Sequence, residues 1–139
     1  LLIFMRFLAN ESLEDYLTTI YRMQIRGEVR SKQLVSYLGV RKSSVSEMLS
    51  KLSKQGFVTH TRYAGVKLTK KGEGIAKRIV FKHRVIEMFL VKVLKHDKKK
   101  VHEEAHKLEH AFSDLSMKQI YKLIGRPKIG IHGEEIPTL

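Results

Sequence analysis

Residues 101–110 read Val-His-Glu-Glu-Ala-His-Lys-Leu-Glu-His, and within them His102, His106, Glu109 and His110 recur at spacings of four, three and one. At about 100° per residue, these spacings gather the side chains on one side of a helix. Imidazole and carboxylate together suit borderline divalent ions such as Fe(II), Mn(II), Zn(II), Co(II) and Ni(II). The chain has no Cys, so no thiolate biases the set toward softer metals. The competing reading is a charged, solvated helix whose His and Glu pairs follow from composition alone. His83 and Glu87 stand at i and i+4 in an earlier helical stretch. Alone they make a local polar pair; beside the His102 helix they are candidate ligands of a shared or second ion. His132 is a more remote candidate in the tail. Asp15 has two readings, a helix cap paired with Ser12 or a ligand reaching another domain.

These residues need elements to hold them. Leu13, Tyr16, Leu17, Ile20 and Tyr21 have the period of an amphipathic helix, expected over 12–26 with Ser12 and Asp15 as its capping box and Gly27 as its stop. Residues 29–52 hold two short helical patterns around Gly39, the signature of a helix-turn-helix. The second of them opens with Ser43, Ser44 and Ser46 beside Glu47. Small polar side chains there let the backbone approach phosphates and base edges closely. Two β-prone runs, 57–60 and 66–69, read as a two-stranded wing, made basic by Arg62, Lys67, Lys70 and Lys71. Thr69 can cap a long helix over 72–95 whose later part is apolar on more than one face, which predicts a core element that also serves a subunit interface. The ligand helix is expected over 99–111 and a last one over 114–124, ended by Gly125-Arg126-Pro127. The tail beyond is turn-rich.

The fold class predicted is mainly α with a small β wing: a winged helix-turn-helix domain over 1–77, then a helical metal-binding and dimerisation domain over 78–139. The net charge of +13 and pI near 10.0 make a polyanion the first partner to consider. Most of that excess falls in residues 1–78, away from the histidine cluster. The absence of Cys excludes a disulfide framework and a thiol nucleophile and fits a reducing compartment, so a cytoplasmic protein is expected. The opening Leu1–Ala9 is apolar but too short to span a bilayer; we assign it no function, and expect neither a membrane nor a small-molecule substrate.

Glu14-Asp15-Tyr16-Leu17, the run Ser44-Val45-Ser46-Glu47-Met48-Leu49, Lys82-His83-Arg84 with Glu87, and residues 101–110 with Ser113-Asp114 resemble the diphtheria toxin repressor family of metal-dependent transcriptional regulators. The match spans roughly residues 12–137. The resemblance implies a homodimer that binds a palindromic double-stranded DNA operator when loaded with Fe(II) or Mn(II), acting as a repressor in metal-ion homeostasis. Carried over by position, one ion is implied at Asp15, His106, Glu109 and His110, and the other at His83, Glu87 and His102. Candidate DNA contacts are Arg30, Arg41, Lys42, Ser43, Ser44, Ser46, Glu47 and Lys51, with Arg62 on the wing. Iron-sensing members often carry Met where Asp15 stands and Cys where His106 stands, while manganese-sensing members have Glu where this chain has Thr18. The set His83, Glu87 and His102 resembles the iron-sensing type, so Fe(II) is expected first and Mn(II) next, with Zn(II), Co(II) or Ni(II) able to substitute. Arg41 replaces the Ser that often starts the recognition helix. A third, SH3-like domain of some members is expected to be absent from these 139 residues, leaving any ligand it would lend to water, an anion or nothing.

Two other functions compete with this one. His102-Glu103-Glu104-Ala105-His106 matches the H-E-x-x-H pattern of zinc metallopeptidases, in which two His hold the ion and the Glu activates water. Little chain remains to build the cleft such an enzyme needs. The other is a winged-helix regulator not controlled by metal, its histidines merely structural.

Overall fold

The computed structural model describes the backbone of residues 2–139 and the side chains from residue 11 onward. Those of the apolar opening lie outside the described residues. In chain order the elements are α1 (Leu2–Gln24), α2 (Ser31–Leu38), α3 (Lys42–Lys54), β1 (Val58–Thr61), β2 (Gly65–Leu68), α4 (Lys70–Lys92), α5 (Val101–Glu109) and α6 (Asp114–Leu123). Two compact units result, one ending at Ala76 and the other running Lys77–Leu139.

In the first unit, α1 begins ten residues before the expected Ser12, so Ser12 and Asp15 form no cap. Residues 2–11 contain no Gly or Pro to break a helix, and the Asp15 carbonyl accepts a hydrogen bond from Thr18 Oγ1 at 3.1 Å, one turn on. At the start of α2 the Arg30 N–H donates to Gln33 Oε1 at 2.7 Å. This is one half of a capping box; a guanidinium has no acceptor to supply the other half. The helix ends at Gly39, whose φ of 64° turns the chain while its N–H reaches the Val35 carbonyl at 3.1 Å. Arg41 then opens α3 in extended conformation without a side-chain cap. The helices close over one core of Leu17, Ile20, Leu34, Val45, Leu49 and Leu52, with Val58 and Val66 from the strands.

The strands pair antiparallel, Val58 with Leu68 and Thr61 with Gly65, leaving Arg62, Tyr63 and Ala64 at the tip. Val66 N–H also donates to the Val29 carbonyl at 2.8 Å, an isolated bridge too short to leave a periodic signal. Thr69 caps α4 as expected: its Oγ1 accepts from Gly72 N–H at 3.1 Å and donates to the Gly56 carbonyl at 2.6 Å. A Cβ at residue 72 would run into the Phe57 carbonyl, so this tight junction requires Gly.

In the second unit α4, α5 and α6 enclose Phe81, Val85, Ile86, Leu90, Val101, Ala105 and Met117. The apolar face expected to reach Leu94 stops short, because α4 ends at Lys92 and leaves Val93 and Leu94 exposed beyond it. Ser113 caps α6, accepting from Ser116 N–H at 3.1 Å. The tail then folds back: Gly130 N–H reaches the Glu134 carbonyl and Ile136 N–H the Lys128 carbonyl, each at 2.8 Å. Ile136 enters the core, and the Arg84 guanidinium of α4 donates to the Glu135 carbonyl.

Candidate metal centre and nucleic-acid surface

His83 and Glu87 project from one face of α4, a turn apart, toward the start of α5. They are 3% and 1% exposed, a depth at which ionisable groups need partners. His83 Nε2 lies 3.0 Å from Glu87 Oε1 and 3.1 Å from His102 Nδ1. Its other nitrogen, Nδ1, lies 2.5 Å from Glu109 Oε2 at the end of α5. A carboxylate that accepts from one imidazole nitrogen fixes the ring and aims the other nitrogen at its target, which is how metal-binding histidines are commonly held. Burial alone would lower the His83 pKa, but the hydrogen bonds and charges of Glu109 and Glu87 outweigh it and raise it from 6.5 to about 8. Burial pushes the Glu87 carboxyl up, and its contacts with His83 and His132 more than reverse this, holding it below 4.5. A proton is thus trapped among groups that converge on one point.

The donor set fits a divalent ion. Two ligand atoms each about 2.1 Å from one ion stand roughly 3.0–3.4 Å apart at octahedral or tetrahedral angles. The Nε2–Oε1 and Nε2–Nδ1 separations at His83 fall in that range, and donor atoms of His83, Glu87 and His102 all lie within 4.8 Å of one another. Sequence reasoning underweighted His132. The tail turn brings its Nε2 to 3.1 Å from Glu87 Oε2, and no periodicity links residues 87 and 132.

His106 and His110 form a second pair on the same unit, their rings edge to face with centroids 5.2 Å apart. Glu109 Oε1 lies 3.9 Å from His106 Nε2 and 3.5 Å from His110 Nε2. Glu109 was expected to serve this set alone; its two oxygens face both sets. Asp15 lies half-buried on α1 in the first unit. The two histidines of the peptidase-like motif part company, His102 packing its ring on His83 at 4.6 Å and His106 on His110. Glu103 between them is exposed.

The expected DNA contacts share the first unit. Along α3, Val45, Leu49 and Leu52 are fully buried, while Lys42, Ser43, Ser44, Ser46, Glu47 and Lys51 are exposed, as is Arg41 before them. A helix so divided offers one whole face to a partner. Arg62 is exposed at the wing tip. Arg30 pairs with Glu28 at 2.9 Å on the surface. Lys71, read as part of the basic wing, serves the fold: its Nζ donates to the Gln55 carbonyl at 3.1 Å and lies 4.6 Å from the centre of the Phe57 ring. Among the described residues no helix is long and apolar enough to cross a membrane.

Comparison with known proteins bears on both halves. The family described as "Iron dependent repressor, N-terminal DNA binding domain" matches residues 9–66, and "Iron dependent repressor, metal binding and dimerisation domain" matches residues 69–138. An HTH-type transcriptional regulator of Methanocaldococcus jannaschii is 39% identical over 113 residues, covering 80% of this chain and 90% of that one. The HTH-type transcriptional regulator MntR of Bacillus subtilis is 34% identical over 114 residues, covering 81% and 80%. A solved manganese-dependent transcriptional repressor in complex with manganese superposes with a TM-score of 0.84 at 39% identity over 91% of this chain. The present chain spans only 58% of that one. Matched over its DNA-binding and its metal-binding halves in the same order, the chain belongs to the iron-dependent repressor family of metal-dependent transcriptional regulators.

Proposed function

We propose that this chain is a metal-activated repressor that binds a palindromic DNA operator as a homodimer in the cytoplasm and controls metal-ion homeostasis. The observation that carries the reading is the buried convergence of His83, Glu87 and His102 in a chain whose α3 presents an exposed face of Ser and Lys residues. His83, Glu87 and His102 hold one ion and Glu109 orients His83; His106, Glu109 and His110 are the donors offered to the other. Asp15 enters as a ligand on its sequence position alone. A bound divalent ion supplies the positive charge that lets these carboxylates and neutral imidazoles converge without trapped protons. Nitrogen donors favour later first-row ions, and Fe(II) stands above Mn(II) in that order, so Fe(II) is proposed first and Mn(II) next. The manganese named for the solved relative keeps the two close. The family is one of DNA-binding regulators rather than of enzymes.

Lys42, Ser43, Ser44 and Ser46 approach base edges and phosphates in the major groove, while Arg41, Lys51 and Arg62 neutralise phosphate. A coupling of about 1–3 kcal/mol between metal and operator gives roughly 5–150-fold tighter DNA binding. The test is anaerobic selection of DNA from a genomic fragment pool by metal-stripped protein, with Fe(II), Mn(II), Zn(II) or chelator added. Enrichment of a palindrome only with metal supports the proposal and ranks the ions; equal enrichment with chelator overturns metal control. Asp15→Ala that binds metal and answers it on DNA like the wild type would remove Asp15 from the ligand set.

A further inference from the structure

We infer that His132 is a fourth protein ligand of the ion held by His83, Glu87 and His102, so that metal binding closes the C-terminal turn onto α4. The inference rests on the metal-binding reading above and adds a residue from a different segment of the chain. Its basis is position. The turn made by the Gly130 N–H to Glu134 carbonyl bond and the Gly133 N–H to Gly130 carbonyl bond at 3.1 Å places His132 Nε2 at 3.1 Å from Glu87 Oε2. That is the spacing of neighbouring donors on one ion. Glu87 is thereby met from two sides, by His83 at Oε1 and by His132 at Oε2, with His102 Nδ1 at 4.0 Å from Oε2.

The turn is suited to docking with an ion. His132 is 45% exposed, so its ring can exchange a hydrogen bond for a metal bond without unpacking a core. Arg84 and buried Ile136 already hold the turn near α4, which lowers the ordering cost of recruiting its imidazole. Close by, Glu134 Oε2 is buried without a hydrogen-bond partner among the described residues. A set of three imidazoles and one carboxylate favours Fe(II), Co(II), Ni(II) or Zn(II) over Mn(II), because nitrogen donors reward the later ions more.

The experiment compares Co(II) binding by the full chain with binding by His132→Gln, His132→Ala and His83→Ala, using competition titration and visible absorption. It also follows hydrogen exchange of residues 129–136 with and without Co(II). The expected result is that both His132 variants weaken Co(II) binding at this site at least about tenfold and shift its absorption, and that Co(II) slows exchange in the wild-type turn but not in the variants. If His83→Ala loses the site while the His132 variants keep wild-type affinity and absorption, His132 is no ligand and the metal-binding reading stands. Wild-type exchange in the turn that ignores Co(II) likewise removes His132 from the ligand set, without any variant. If the wild type binds no Co(II) in a manner that depends on His83, the metal-binding reading and this inference fall together.

Discussion

His83 on α4 and Glu109 on α5 meet with Nδ1 and Oε2 only 2.5 Å apart, and the other oxygen of the same carboxylate faces His110 Nε2 at 3.5 Å. One buried side chain therefore contacts both groups of histidines. Removing it leaves the protonated His83 with a single carboxylate partner in an apolar surround. Glu109→Ala is expected to cost the metal-free protein about 3–5 kcal/mol, as for breaking a buried ion pair, and Glu109→Gln less, since the amide oxygen can still accept from Nδ1. Urea unfolding of the two variants in chelator measures this. Equal stability of wild type and Glu109→Ala would mean that the pair contributes nothing to the fold.

The His83 pKa, raised from 6.5 to about 8, sets a pH dependence with a definite sign. A raised imidazole stabilises the folded state fully below its unfolded value of 6.5, and that contribution disappears as pH climbs through about 8. Glu87, held below 4.5, contributes above that value and loses its contribution as pH falls further. The metal-free chain should thus be most stable between about pH 4.5 and 6.5 as far as these two groups decide it, and lose about 2 kcal/mol from His83 on going to pH 9. Metal affinity should run the other way, rising with pH up to about 8 because binding must expel the His83 proton. Thermal melts with chelator, beside metal titrations across that range, check both slopes. A chain that gains stability in chelator between pH 6.5 and 9 would contradict the assignment.

The wing and the recognition helix should differ in how they fail. Arg62 at the exposed tip is positioned for phosphate and not for bases. Arg62→Ala is expected to weaken all DNA sequences alike and to reduce the slope of log affinity against log salt by about 1. Ser44→Ala on α3 should leave the slope unchanged and cost affinity for the operator alone. Binding isotherms at several salt concentrations on operator and on random duplex separate these; a sequence-dependent loss in Arg62→Ala would place that residue in a groove.

What could be read from the sequence followed periodicity and local chemistry. The Gly39 turn, the Thr69 and Ser113 caps and the α6 boundaries each rest on residues within a few positions of one another, and each matches the structure to within a residue or two. The start of α1 was misplaced because Ser12 and Asp15 imitate a cap while nothing nearby forbids a longer helix. The Val29–Val66 bridge and the approach of His132 to Glu87 were not legible at all. They join residues 37 and 45 positions apart through tertiary packing, and a one-residue bridge or a single tail histidine leaves no repeat to detect. The double role of Glu109 was hidden for a related reason. Helical spacing gave the face it shares with His106 and His110, but only the packing of α4 on α5 supplies His83.

The H-E-x-x-H pattern of His102, Glu103 and His106 makes one more measurable distinction. In a zinc peptidase both histidines hold one ion, so His102→Ala and His106→Ala would each abolish the same binding event, and the double variant would add nothing. Here His102 Nδ1 lies 3.1 Å from His83 Nε2, whereas His106 packs against His110 and faces Glu109. His102→Ala should weaken the His83 and Glu87 set and spare the other, His106→Ala should do the reverse, and the double variant should combine the two losses. Glu103→Gln, altering an exposed side chain, should change neither metal affinity nor operator binding. Co(II) titrations of the four variants read this directly. Identical losses in the two single variants, together with peptide hydrolysis that Glu103→Gln abolishes, would restore the peptidase reading.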